Sequence, residues 1–114
     1  SLANWMDRKT IIRMGVKGIY FSNGLRHINL NWEQINEVRV LPAQWGEKVQ
    51  VFGPRLYFGF YTLGEVKSNG KVLSRTGFKE GDLILEHILE RSGLIDGEQV
   101  DLGDQQQGYY YSRR

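Results

Sequence analysis

Residues 81–94 of this 114-residue chain read GDLILEHILERSGL. The apolar residues of this run recur at the spacing that places side chains on one side of an α-helix: Ile84, Leu85, Ile88 and Leu89. Gly93 followed by Leu94 is typical of a helix end in which a left-handed glycine is accompanied by a hydrophobic contact. The pattern therefore predicts one amphipathic helix that buries its apolar side.

Short runs of β-branched and aromatic residues, separated by turn residues, fill most of the chain before this helix. Six of these runs have the length and composition of strands: residues 9–14, 18–22, 25–31, 37–41, 48–52 and 55–62. Asn23-Gly24 lies between two of them and is a strong hairpin signal, because both residues tolerate positive φ. Residues 71–75 form a candidate seventh strand. The chain is therefore predicted to be mainly β (α+β), an antiparallel barrel or sandwich of six to seven strands capped by the C-terminal amphipathic helix.

The composition indicates one ordinary globular domain. Apolar residues make up 40% of the chain and charged residues 25%, which is enough apolar material for a core. The chain has no cysteine, which excludes disulfide frameworks, thiolate zinc sites and cysteine nucleophiles. Because a cysteine-free chain suits a reducing compartment, we expect a cytoplasmic location, at the cytoplasmic membrane face if the chain is a fragment of a larger protein.

Charge is distributed unevenly along the chain. The net charge is only +2, yet between Asp82 and Asp104 there are seven acidic residues and a single basic one, Arg91. This separation predicts a basic sheet region and an acidic region formed by the helix and the segment that follows it.

Nucleic acid is not expected as a partner, because the net charge is small. The run from Tyr57 to Tyr61, preceded by Arg55, is similar to the aromatic strand of RNA-recognition domains. The similarity fails in detail, since Leu56 stands where that motif has glycine and Phe58 stands where it has a small residue.

Three passages resemble the small bacterial pleckstrin-homology-like (PH-like) domains of uncharacterised function. They are residues 18–22, residues 30–38 with Trp32 and Ile35, and residues 77–82 at the start of the helix. The resemblance covers residues 8–94 and leaves residues 95–114 as a polar, Tyr-containing C-terminal tail. It implies a β-barrel closed by one helix, and a binding or assembly scaffold with no shared chemistry.

No residue pattern indicates catalysis, a metal site or a cofactor. His27 and His87 are far apart and lack the His-x-x-x-His spacing of metal ligands. The serines lack the context of a hydrolase nucleophile, and the glycines do not form a phosphate-binding loop. The sequence therefore predicts a chain that is not an enzyme and binds no cofactor.

The residues best suited to contact a partner are aromatic, since Trp and Tyr supply large contact areas with few rotatable bonds. The candidates are Trp45, Tyr57, Tyr61, Tyr109, Tyr110 and Tyr111. They favour an interaction or scaffold module that mediates protein–protein contact or self-assembly, and they predict a homo-oligomer.

The alternative is a membrane-surface module that binds anionic lipid headgroups. Its candidates are the basic residues around the first strand pair, since Arg and Lys are suitable phosphate donors: Arg8, Lys9, Arg13 and Lys17. The alternating basic signature of lipid-binding PH domains is missing, however, because Met14-Gly15-Val16 follows Arg13. A solvated strand edge is the simpler interpretation of these residues.

Overall fold

The computed structural model describes residues 3–7, 9–43, 46–62, 64–68, 71–78, 80–94, 96–103 and 106–112. These residues form eleven strands, one α-helix and one short 3-10 helix. In chain order the elements are β1 (Ala3–Asp7), β2 (Thr10–Met14), β3 (Gly18–Ser22), β4 (His27–Asn31), the 3-10 helix (Trp32–Gln34), β5 (Glu37–Pro42), β6 (Glu47–Phe52), β7 (Tyr57–Tyr61), β8 (Gly64–Ser68), β9 (Lys71–Thr76), α1 (Gly81–Ser92), β10 (Asp96–Gly103) and β11 (Gln106–Ser112). The chain is therefore mainly β with one α-helix, as its sequence predicts.

The first sheet is a four-stranded antiparallel meander in the order β1-β2-β3-β4. The hairpin that Asn23-Gly24 predicts is present as β3 and β4, and Gly24 has a φ of 91° in its turn. The Asn23 side chain stabilises this turn, because its Oδ1 accepts the backbone N–H groups of Leu25 and Arg26 at 3.0 and 2.8 Å. Alternate residues of β4 are buried, so this sheet turns one face toward the core.

The second sheet has five antiparallel strands in the order β10-β11-β5-β6-β7. Strands β5, β6 and β7 follow one another along the chain, whereas β10 and β11 come after the helix and add to the free side of β5. Strands β8 and β9 pair only with each other among the described residues and lie in the chain between β7 and α1. The three consecutive strands bury alternate residues, among them Val38, Val51 and Phe58.

The two sheets share one hydrophobic core. The rings of Phe21 in β3 and Phe58 in β7 stack with their centroids 4.7 Å apart, which joins the inner faces of the two sheets. The 3-10 helix links the sheets, and the indole N–H of its Trp32 donates to the carbonyl oxygen of Gly15 at 3.1 Å. Each fully buried large apolar side chain contributes roughly 1.5–3 kcal/mol relative to an exposed position, so this core is the main source of stability.

The helix predicted after the strands is present as α1. Ile84 and Ile88 are fully buried, and Leu85 and Leu89 pack half-buried against the same core. The helix ends at Gly93, whose φ of 77° is the left-handed conformation that the sequence predicts. No helix among the described residues is long and apolar enough to cross a membrane.

Two contacts fix the beginning of α1 to the sheets. A Cβ atom at Gly81 would lie 2.6 Å from the Cα atom of Thr62, so glycine is needed where the helix meets the end of β7. The indole N–H of Trp5 in β1 donates a hydrogen bond to Glu80 Oε2 at 2.8 Å. The centroid of the Trp5 ring lies 5.9 Å from the centroid of the His87 ring. Strand β1 is thereby held against the first turns of α1.

The number of strands differs from the prediction, since the structure has eleven instead of six to seven. Residues 3–7 and 64–68 form β1 and β8, although neither segment has the apolar alternation of a half-buried strand. Their strand conformation depends on pairing with β2 and β9, which a local pattern does not record. Within the described ranges no ladder joins the two large sheets, so the structure shows separate sheets and not a closed barrel.

Residues 95–114, which composition marks as a polar tail, contain the β10–β11 hairpin. Strand β11 pairs with β5 from Tyr109 opposite Val40 to Ser112 opposite Glu37. Pairing with β5 gives the backbone N–H and C=O groups of β11 hydrogen-bond partners, and the side chain of Tyr111 packs against the core. Both interactions come from residues distant in the sequence, so composition alone does not reveal them.

Candidate functional site

The outer face of the second sheet carries a connected set of aromatic and basic side chains. Neighbouring residues of a strand point to opposite faces, so the residues that alternate with the buried valines of β5 and β6 point outward. We call this surface the aromatic face and define it by Arg39, Lys48, Phe52, Tyr57, Tyr61 and Tyr110. Strand register places each of these residues directly opposite another member of the set or opposite Gln50.

Arg39 lies between two rings of the aromatic face. Its guanidinium carbon is 4.8 Å from the centroid of the Phe52 ring and 4.9 Å from that of Tyr110. Glu37, on the same strand, accepts a hydrogen bond from Arg39 Nε and forms an ion pair with it. These contacts hold the guanidinium group and both rings in one arrangement.

Two further cations lie at the two ends of β7. Arg26, from the β3–β4 turn, donates from Nη2 to the carbonyl oxygen of Tyr57 at 2.9 Å, and its guanidinium carbon lies 5.8 Å from the centroid of that ring. At the other end, Lys48 Nζ lies 5.7 Å from the centroid of the Tyr61 ring. In the part of the chain that the structure describes, neither Arg26 nor Lys48 forms an ion pair. The face is therefore framed by positive charge.

Tyr57 and Tyr61 are half exposed, at 51% and 46%. Gly59 lies between them on the same side of β7 and carries no side chain to fill the gap. A Cβ atom there would approach the carbonyl oxygen of Val49 to 3.2 Å, so a larger residue fits tightly. At roughly 3.3 Å per residue the two tyrosines are about 13 Å apart along the strand. The result is a shallow, open surface bounded by two rings.

The aromatic residues that the sequence proposes for partner contact do not form one surface. Three of them lie on the aromatic face: Tyr57, Tyr61 and Tyr110. Tyr111 has the opposite orientation in β11 and packs against the core, so its role is in the fold. Tyr109 shares that orientation and is 40% exposed, away from the aromatic face. Trp45 lies outside the described residues.

Sequence reasoning missed the basic side chains of the aromatic face. Alternation in Val38-Arg39-Val40 shows that Arg39 points outward, and the same holds for Lys48 beside Val49. Which rings these cations meet depends on the register of β11, β5, β6 and β7, which the alternation does not give. Arg26 comes from the other sheet, and no local pattern connects it with Tyr57.

The four basic residues of the proposed lipid site are not brought together. Lys9 lies just before β2, whereas Arg13 lies near the other end of that strand and Lys17 in the turn after it. Arg8 lies outside the described residues. Only Arg13 and Lys17 share a surface.

That surface is a groove of about 380 Å³ beside the β2–β3 turn, with Arg13 and Lys17 among its lining residues. Arg13 Nε donates to Asn4 Oδ1 at 3.0 Å, and the guanidinium carbon lies 5.8 Å from the centroid of the Tyr20 ring. Val16, in the turn, is 80% exposed. None of the described residues that line the groove is acidic, so an anionic group meets two cations there.

Both histidines make side-chain contacts near the protein surface. His27 Nδ1 lies 2.8 Å from the hydroxyl oxygen of Tyr20, and the His87 ring lies beside that of Trp5. Across the described ranges, His, Cys, Asp and Glu side chains do not gather in groups of three that could hold a metal ion. The aromatic face and the Arg13–Lys17 groove are therefore the candidate functional surfaces of the described residues.

No protein-family model matches this chain, and no curated protein or solved structure matches it either. The functional proposals therefore depend on the chemistry of these two surfaces.

Proposed function

We propose that this chain is a non-catalytic interaction module whose aromatic face docks on a protein partner. The observation that carries the proposal is the pair Tyr57 and Tyr61, two half-exposed rings on either side of Gly59 in a strand at the edge of its sheet. Tyr and Arg are enriched at the centres of protein interfaces, where large and rigid side chains lose water on binding. A partner that covers the two rings removes that apolar surface from water.

The aromatic face is ordered before any partner binds. The rings of Phe52 and Tyr57 stack with centroids 5.5 Å apart, and Arg39 is held between Phe52 and Tyr110. Immobilising a rotamer-rich side chain on binding costs about 0.5–1.5 kcal/mol. Side chains that are already held by their neighbours lose less freedom, which favours binding.

The charges of the aromatic face favour an acidic partner. Arg39 and Lys48 on the face and Arg26 beside Tyr57 supply three positive charges, and Glu37 pairs with the charge of Arg39. Complementary charge contributes to partner choice and to the rate of association more than to affinity itself.

We also propose that the chain is a PH-like domain enlarged by two hairpins. In support, β1 to β4 and β5 to β7 form two consecutive meanders, and α1 follows them. In this proposal β8–β9 and β10–β11 are additions to the seven-strand pattern. The absence of cysteine agrees with the cytoplasmic location proposed for such a module.

Selection from a random peptide library tests the docking surface. The full chain is the bait, and the double variant Tyr57→Ser/Tyr61→Ser is the counter-selection bait. We expect acidic peptides that bind the double variant at least about tenfold more weakly, because the loss of two interface rings costs roughly 1.4 kcal/mol or more. Tyr109→Ser removes an exposed tyrosine outside the face and should leave binding unchanged. If no selected peptide requires Tyr57 and Tyr61, the proposal is wrong.

Attachment to an anionic membrane surface is the second candidate function. The groove favours it, because Arg13 and Lys17 meet there beside the exposed Val16. Co-sedimentation with vesicles that contain phosphatidylserine tests it at low and at higher salt. We expect binding at low salt that weakens with added salt and with Arg13→Glu/Lys17→Glu, since screening reduces an electrostatic attraction. Absence of binding at low salt rules this function out.

A further inference from the structure

We infer that the acidic partner of the aromatic face is the exposed side of α1 in a second copy of this chain. The copies associate head to tail, with the helix of one on the second sheet of the next. This inference rests on the proposed docking role of the aromatic face and identifies the partner.

The exposed side of α1 carries an acidic stripe, which we define by Asp82, Leu83, Glu86 and Glu90. The three carboxylates follow one another at four-residue intervals, so they lie along one side of the helix. All three acidic residues are exposed, and Leu83 beside them is 43% exposed. The stripe therefore combines negative charge with an apolar contact at its first turn.

The charges of the stripe complement those of the aromatic face. Among the described residues, no carboxylate of the stripe takes part in an ion pair, and the same holds for Arg26 and Lys48. Arg39 is paired with Glu37 inside the chain. A helix laid on the aromatic face therefore brings unpaired carboxylates to the two cations at the ends of β7.

The two surfaces also match in length. From Asp82 to Glu90 the helix rises about 12 Å, at roughly 1.5 Å per residue. Tyr57 and Tyr61 are separated by about 13 Å along β7. The outer carboxylates of the stripe can therefore reach the cations beside each tyrosine, while Leu83, next to Asp82, meets the ring at that end.

Within one copy no ion pair among the described residues joins the stripe to the face, and both surfaces point away from the same core. Helix α1 turns its opposite side, with Ile84 and Ile88, into the core, and the aromatic face is the outer side of the second sheet. The contact between copies is therefore heterologous. Each terminal copy keeps one unused surface, so assembly continues beyond the dimer unless a ring closes.

Sedimentation velocity of the full chain over a range of concentrations tests the inference. We expect the wild type to form species that grow beyond a dimer as concentration rises. The helix variant Glu86→Lys/Glu90→Lys and the face variant Arg26→Glu/Lys48→Glu should each weaken association at least about tenfold, since like charges then face each other. Arg26→Glu also removes the hydrogen bond from Arg26 to the carbonyl oxygen of Tyr57. Lys48→Glu alone therefore serves as a second face variant, since it keeps this hydrogen bond.

Mixing the two variants gives the sharpest result. The helix variant retains an intact face and the face variant retains an intact helix, while the reversed helix of the first complements the reversed face of the second. An equimolar mixture should therefore recover the growth that neither variant shows alone. Combining all four substitutions in one chain reverses both charges and should restore growth. Lys9→Glu changes the net charge as much as Lys48→Glu does, but at an exposed site just before β2, and should leave assembly intact.

Three results overturn the inference: a wild type that remains monomeric, assembly that the helix variant does not weaken, or a variant mixture that associates no better than either variant alone. None of them overturns the proposed function by itself, because peptides that require Tyr57 and Tyr61 would still show that the face docks a different partner. If the assembly predictions fail and no selected peptide requires Tyr57 and Tyr61, both proposals are wrong.

Discussion

Replacing Ile88 with alanine tests whether α1 is a structural part of the core. Ile88 lies in the second half of the helix and is 0% exposed. Truncating a fully buried isoleucine removes apolar contacts and leaves a cavity, which together cost about 2–5 kcal/mol. Since small domains have a total stability of about 5–15 kcal/mol, Ile88→Ala is expected to remove a large part of the free energy of unfolding.

Urea denaturation followed by circular dichroism and tryptophan fluorescence measures this change. The midpoint should fall while the m-value stays the same, because the surface exposed on unfolding is nearly unchanged. Leu83→Ala is the matched control: it lies on the same helix, is 43% exposed and should change stability by less than about 0.5 kcal/mol. Equal effects of the two substitutions would refute the burial of this side of α1.

Two further predictions concern contacts within the first sheet and between it and α1. Trp5→Phe removes the indole hydrogen bond to Glu80 and should lower the free energy of unfolding by about 1 kcal/mol in the same denaturation assay; an unchanged midpoint would contradict the contact. Gly18→Ala places a Cβ atom 2.0 Å from the carbonyl oxygen of Leu30 and should cost at least about 1–3 kcal/mol. Gly15→Ala, where no atom lies within 4 Å, should be neutral, so similar losses at both glycines would contradict the β3–β4 geometry.

The helix and the β3–β4 hairpin could be predicted from sequence, because their signals are local. The side of α1 that contains Ile84 and Ile88 is fixed by a spacing of four residues, and Asn23-Gly24 specifies its own turn. In both cases the residues that determine the structure are neighbours in the chain.

The β10–β11 hairpin and the composition of the aromatic face could not be predicted in the same way. Tyr110 contacts Arg39 only because β11 pairs with β5, although the two strands are far apart in the sequence. Arg26 reaches Tyr57 only because the two sheets enclose one core. The sequence pattern named Tyr57 and Tyr61 as candidates for partner contact, whereas strand register and sheet packing determine which cations surround them.

The central proposal is that a partner covers Tyr57 and Tyr61. Hydroxyl-radical footprinting tests it most directly, because it measures the oxidation rate of each tyrosine. The dilute full chain is oxidised alone and with a selected acidic peptide, and the rate is read at each tyrosine. We predict that Tyr57 and Tyr61 react faster than the half-buried Tyr111 in the free chain, and that only the first two are protected by the peptide. Slow oxidation of both in the free chain, or unchanged rates when the peptide is bound, would contradict the account.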